Sequence, residues 1–154
     1  TELVTSFKST LEESKNVDLL VHVIDASDPN HEEHEKTVLS IMKDLDMVEI
    51  PRLTLYNKAD KVADFTPTQT PYRLVSARSE TAREDLQALF LEKLRELFHP
   101  FTIRVPFSKS YRTHELETVA IIDQRKFEED VEVIQGYIAE KNKWKLEEFY
   151  DGLR

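Results

Sequence analysis

The chain has 154 residues, no cysteine and only two glycines, Gly136 and Gly152. Without cysteine there is no disulfide and no thiolate metal site, which fits a reducing compartment. A phosphate cradle of the form GxxxxGK[ST] needs two glycines five residues apart, and no glycine precedes position 136. A DxxG motif is missing as well, because Val133 and Phe149 stand three residues before the two glycines. Long apolar runs are also lacking. No stretch approaches the roughly 20 residues that cross a bilayer, and nothing reads as a charged-then-apolar leader or a lipidation signal. The expectation is a cytoplasmic protein with no membrane partner. The first residue is Thr1 rather than Met, so the chain reads as an excerpt.

What is present is the composition of a soluble globular protein, 40% hydrophobic and 33% charged, long enough for one ordinary domain or two small ones. A formal charge of -9 excludes a surface that is basic throughout, as a general nucleic-acid footprint would be, although a local basic patch can persist within an acidic total.

Periodicity orders the elements. In "ELVTSFKSTLEES", Leu3, Val4, Phe7 and Leu11 fall on one helical stripe, predicting an amphipathic helix over residues 2–14. "DLLVHVID" is almost continuously apolar from Leu19 to Ile24, the pattern of a strand covered on both faces of a parallel sheet. Asp28 and Pro29 read as N-cap and first helical residue, with Val38, Ile41, Met42 and Leu45 on the buried side of the helix that follows. "PRLTLYN" is a second strand, "KVADFTPTQTPY" a loop rich in Thr and Pro, and "YRLVSA" a short third strand. Thr81 and Glu84 have capping-box spacing, and Leu86, Leu89, Phe90, Leu94 and Leu97 carry a helix to about Phe98. After His99 and Pro100 the pattern changes: "FTIRVPF" as a strand, "THELETVAII" as a short helix, "IIDQRKF" and "DVEVIQGYIAE" as strands and "NKWKLEEFY" as a terminal helix make a small α+β module.

The first part alternates as an α/β layer on a parallel sheet, and in such sheets ligands sit beyond the carboxyl ends of the strands. "NKAD", with Asn57, Lys58 and Asp60, and "SAR", with Ser76, Ala77 and Arg78, both follow strands and therefore face one crevice. A carboxylate reads a purine by a bidentate contact only if the base offers two adjacent donors, as guanine does with its N1 hydrogen and 2-amino group. Adenine leaves that carboxylate unpaired, and discrimination of this kind reaches on the order of 10⁴-fold. In this arrangement Asp60 takes the two donors. Asn57 bonds the base edge or ties the two loops together, and the stem of Lys58 lies over one ring face. The backbone N–H of Ala77 meets the 6-oxo group, Ser76 braces the turn, and the stem of Arg78 covers the other face. The alternative for Asp60 is a turn aspartate that closes the strand.

"NKAD" followed by "SAR" resembles the NKxD and SAK-type motifs of P-loop GTPases, and "SFKSTLEES", "DLLVHVIDASDP" and "IPRLTLYNKAD" resemble the second half of the G domain of HflX-type GTPases. The resemblance covers residues 1 to about 98 well and the remainder more loosely. It implies an α/β fold, the parallel-sheet half of a Rossmann-like P-loop GTPase domain over 1–99, then a small α+β domain over 100–154. It further implies binding of guanine nucleotide, GTP or GDP, and GTP-dependent association with the large ribosomal subunit, including dissociation of stalled ribosomes. The phosphate loop, the magnesium-binding threonine and the switch glycine of the family are absent, so Mg2+ belongs to the parent protein only, and those parts are expected upstream of Thr1. "SETARE" stands where the family has glycines after its SAK-type motif. The chain alone is therefore expected to have no catalytic residue and no GTP hydrolysis. The "DLLVHVID" strand would be left with an open apolar edge, from which a dimer or an altered fold is expected.

Other features have local readings. In "HEEHE", Glu35 stands where a zinc hydrolase of the HExxH kind has its second histidine, and the motif reads as a charged first helical turn. His22 reads as a packed, hydrogen-bonded histidine, and Asp25 and Asp28 as caps. Lys141, Lys143, Trp144 and Lys145 read as a solvated helix start with Trp144 anchoring it to the core, or else as a small RNA contact. The second class of function, a non-catalytic protein or RNA interaction module on a GTPase-like scaffold, remains beside guanine reading. The GxxG clamp of a KH domain is absent.

Overall fold

A computed structural model describes residues 2–149, apart from the side chain of Leu3; that side chain, placed in the first predicted stripe, and Tyr150 of the last predicted helix lie outside what is described. The chain divides into two compact units between Leu86 and Gln87. The architecture is mixed α/β, a parallel three-stranded sheet followed by an antiparallel one, as expected for part of a P-loop GTPase domain and a small C-terminal domain.

The first unit runs α1 (Glu2–Glu12), β1 (Leu20–Asp25), α2 (His31–Asp44), β2 (Arg52–Asn57), a 3₁₀ turn (Ala59–Lys61) and β3 (Tyr72–Val75), with α3 (Ala82–Leu97) crossing the division. The sheet order is β1-β2-β3, all parallel, with Asp25 beside Asn57 and Asn57 beside Val75. The three strands therefore end level, and the loops that leave them start from one edge. β2, in the middle, buries Leu53, Thr54, Leu55 and Tyr56 in succession. The α2 stripe packs as its spacing predicts: Ile41, Met42, Leu45 and Met47 form a core that Leu11, Leu20 and Val38 join. A second cluster joins Ile24, Ala26 and Tyr56 to Val62 and Phe65 of the loop after β2.

Three local expectations are corrected. β1 is the edge strand and is not covered on both faces: Val21 is 37% and Val23 60% exposed, while the face that carries His22 and Ile24 is packed. The N-cap position of α2 is Asn30, not Asp28. The Asp28 carboxylate accepts from the Asn30 N–H at 2.8 Å, an Asx turn that consumes the side chain two residues before the cap. At the start of α3 the Thr81 hydroxyl donates to Asp85 at 2.6 Å, one residue beyond the predicted capping partner Glu84.

The second unit contains β4 (His99–Pro106), a short α4 (Phe107–Ser110), a 3₁₀ segment (Thr113–Thr118), β5 (Ala120–Glu128), β6 (Val131–Ile138) and a 3₁₀ segment (Glu140–Phe149). Its antiparallel sheet has the order β4-β6-β5, with β6 central. Ile103, Val105, Leu116, Ile134, Ile138, Leu146 and Phe149 form the core. The predicted terminal helix is thus 3₁₀ rather than α. With about three residues per turn, Leu146 and Phe149 share one inward row and Trp144 falls on another. Trp144 is 57% exposed and is no anchor, which corrects that expectation.

Candidate functional site

At the carboxyl ends of β2 and β3, Asn57, Lys58, Asp60, Lys61, Ser76, Ala77 and Arg78 line one cavity of about 120 Å³. All six residues singled out from "NKAD" and "SAR" are brought together there. Pockets that enclose a whole ligand run to roughly 300–1,000 Å³, so this one is scaled to part of a ligand, such as a single ring system.

Backbone geometry makes the site. The chain leaves β2 at Asn57 and reverses at Lys58, which sits in the left-handed region at φ 61°, ψ 24° and starts the 3₁₀ turn Ala59–Lys61. A side chain at positive φ carries a steric cost, and such residues persist where surrounding contacts hold them. The Lys61 N–H donates to the Lys58 carbonyl at 3.0 Å and the Val62 N–H to that of Ala59 at 3.3 Å, turning Asp60 outward into solvent. Among the described residues, the Asp60 carboxylate and the Arg78 guanidinium have no hydrogen-bond or ion-pair partner. After β3, the Ser79 N–H donates to the Ser76 carbonyl at 3.0 Å, closing the turn that presents Ala77 and Arg78.

Two contacts tie the site together. The Ala77 N–H donates to Asn57 Oδ1 at 3.0 Å, joining the loop after β2 to the loop after β3. Of the two roles read for Asn57, this is the brace between loops, and it engages the same N–H that the sequence reading gave to a 6-oxo group. The second contact had no sequence-level reading: the Lys58 ammonium is ion-paired to Asp25 Oδ2 at the end of β1. Asp25 Oδ1 accepts from the Ser27 N–H at 3.0 Å and from its hydroxyl at 2.6 Å. The hydrogen bond from Lys58, followed by that from the Ser27 hydroxyl, holds the Asp25 carboxyl down at about 2. Asp25 thus caps the β1 turn as read, but it also reaches across to the lysine. Its parallel pairing with Asn57 places it there, and that register is invisible in a one-dimensional pattern.

Behind the site lies a buried polar network that sequence reading missed. Glu35, 2% exposed, pairs with His31 Nδ1 at 2.9 Å and accepts hydrogen bonds from the hydroxyls of Tyr56 and Thr68. Tyr56 directly precedes Asn57, and its oxygen accepts from the N–H groups of Thr68 and Gln69. The only sequence signal was the acidic residue four positions after His31. His34 pairs instead with Asp28, so the two histidines of "HEEHE" face different carboxylates.

The remaining candidates lie apart from the cavity. His22 is packed as expected but is not satisfied: its Nδ1 is buried without a hydrogen-bond partner, and burial, with Arg52 nearby, lowers its pKa below the ordinary value. In the second unit, Lys143 pairs with Glu140, and the Lys145 ammonium stands 5.7 Å from the centre of the Trp144 ring. Among the described residues no helix is long and apolar enough to cross a membrane.

No family model matches the chain. The proteins it is similar to include three named GTPase HflX. That of Alkalihalophilus pseudofirmus is 38% identical over 147 residues, 91% of this chain and 34% of the relative. That of Escherichia coli is 31% identical over 136 residues, 84% of this chain and 32% of the relative. The protein from Spirochaeta thermophila is 30% identical over 128 residues, 81% and 31% respectively. The chain spans about a third of the length of the curated relatives it matches.

Proposed function

We propose that this chain, which belongs to the HflX-type GTPases, is the part of such a protein that reads the guanine base of GTP or GDP. Asp60 accepts from the N1 hydrogen and the 2-amino group, and the stems of Lys58 and Arg78 flank the ring. Asn57 ties the two loops together by accepting from the Ala77 N–H, and Ser76 braces the turn that presents Ala77 and Arg78. The observation that carries this reading is the Asp60 carboxylate, without a partner of its own, in one cavity with the "SAR" turn. A charged acceptor left open in a ring-sized cavity suits a base that brings two adjacent donors.

The residues fit the base. Phosphate transfer and Mg2+ are assigned in this reading to parts of the protein outside this chain, so the chain alone does not hydrolyse GTP. Residues 1–99 are the base-reading part and 100–154 a separate small domain, in a cytoplasmic protein that works on the large ribosomal subunit. The open edge of β1 is where a dimer would form if these residues stand alone.

The test is calorimetric titration of the full-length protein carrying this segment with GDP, ADP and XDP, repeated for Asp60→Asn. The expected outcome is selective GDP binding that shifts toward XDP in the variant, whose amide donates to the 2-oxo group. Equal binding of all three, or unchanged selectivity in the variant, overturns the reading in favour of an interaction module.

A further inference from the structure

We infer that Asp25 is a positioning residue for the base site, acting through Lys58. The inference rests on the guanine reading above and deepens it. Three observations support it.

The register of the sheet sets Asp25 directly beside Asn57, the residue before Lys58, and the Ala26 N–H donates to the Asn57 carbonyl at 2.9 Å. The ends of β1 and β2 are therefore locked level. From its left-handed backbone the Lys58 side chain turns back over the end of β1, and Asp25 takes its ammonium. The Asp25 carboxylate is itself fixed, since Ser27 holds its other oxygen through two hydrogen bonds. Lys58 is held at both ends, by its left-handed backbone and by its ion pair with Asp25.

The consequence concerns the stem between those ends. A lysine side chain has among the largest rotamer freedoms to lose on ordering, and one that must lie flat under a ring loses it when the ring arrives. Here the loss falls on folding instead, so the stem is already laid along the cavity wall. The pair also neutralises the Lys58 charge at the strand end. The lysine then acts as an apolar shelf and not as an anion site, while the base edge is left to Asp60. Asp25 touches no part of the ligand in this arrangement and carries no base preference.

That separation supplies the test. In the full-length protein, GDP and XDP affinities are measured for Asp25→Ala, Lys58→Ala, the double variant and Asp60→Asn, each with its unfolding midpoint. Asp25→Ala is expected to weaken GDP about three- to ten-fold, a loss of preordering of one long side chain, with the ratio of GDP to XDP affinity unchanged. The same substitution on the Lys58→Ala background is expected to have no further effect, because no stem is left to position. Asp25→Glu, which keeps the charge, recovers part of the loss. Equal losses on both backgrounds, or none on either, overturn the role of Asp25 while leaving guanine reading intact if Asp60→Asn still switches selectivity. If Asp60→Asn has no effect on selectivity, the guanine reading itself falls and the inference with it.

Discussion

The Tyr56 hydroxyl stands 3.3 Å from Glu35 Oε2, and the Thr68 hydroxyl donates to the same oxygen at 2.5 Å. Glu35 comes from α2, Tyr56 from the central strand and Thr68 from the long loop between the two halves of the site, so one carboxylate joins three separate stretches of chain. Glu35→Ala strands both hydroxyls in a buried place and is expected to cost about 1–3 kcal/mol. Glu35→Gln, which keeps an acceptor, costs less. Urea unfolding of the two variants against the parent checks the order.

The same carboxylate makes stability depend on pH. Burial pushes the Glu35 pKa up, but the hydrogen bonds from Thr68, His31 and Tyr56 and the charge of His31 together outweigh it, and the net shift is below the ordinary 4.5. A group whose folded pKa is depressed contributes stability that is full above its unfolded value and is lost as pH falls through the folded one. Stability should therefore be level above about pH 4.5 with respect to this group and decline below it. Glu35→Gln should flatten that decline; an identical acid limb in thermal unfolding would show that other carboxylates govern it.

For Asp25 the partner can be removed without touching the carboxylate. With Lys58 present its carboxyl is held at about 2. Lys58→Met keeps a long apolar stem and removes the hydrogen bond that contributes most, so the value should rise toward the ordinary 3.8 while the Ser27 bonds keep it from arriving fully. Carboxyl-detected NMR titration reads this directly, and an unmoved Asp25 would mean that Ser27 alone sets it.

In the second unit Gly136 lies on the central strand beside Ile122 and Phe101. A Cβ placed there would stand 2.0 Å from the Ile121 carbonyl oxygen, a backbone atom with no rotamer to yield. Gly136→Ala should cost about 1–3 kcal/mol by forcing β5 and β6 apart, seen as a lower thermal midpoint. A variant as stable as the parent would mean the strands can part at little cost where the register shifts between Ile122 and Gln124.

Much of this was legible in sequence because apolar spacing and turn residues act locally. The α2 stripe, the strand at Leu53–Tyr56 and the convergence of Asn57, Lys58, Asp60 and Ser76 to Arg78 at one sheet edge all follow from neighbours in sequence. What was missed depends on partners far along the chain. Apolarity at Val21 and Val23 says that burial would be favourable, not that a neighbour is present. Asp25 carries the signature of a turn residue whether or not a lysine lies across the sheet. Trp144 looks like an anchor until the segment winds at three residues per turn and gives that place to Leu146 and Phe149.

The edge position of β1 can be followed atom by atom. The N–H of Leu20 donates to Pro51 and that of Ala26 to Asn57, so by the two-residue alternation of a strand the amides of His22 and Ile24 also point at β2, and those of Val21, Val23 and Asp25 point away. Transferred into deuterated water, this short strand should behave as two populations in alternation, its even-numbered amides slow and its odd-numbered ones close to loop rates. A strand that exchanged slowly at every position would reveal that something had come to lie along its outer side.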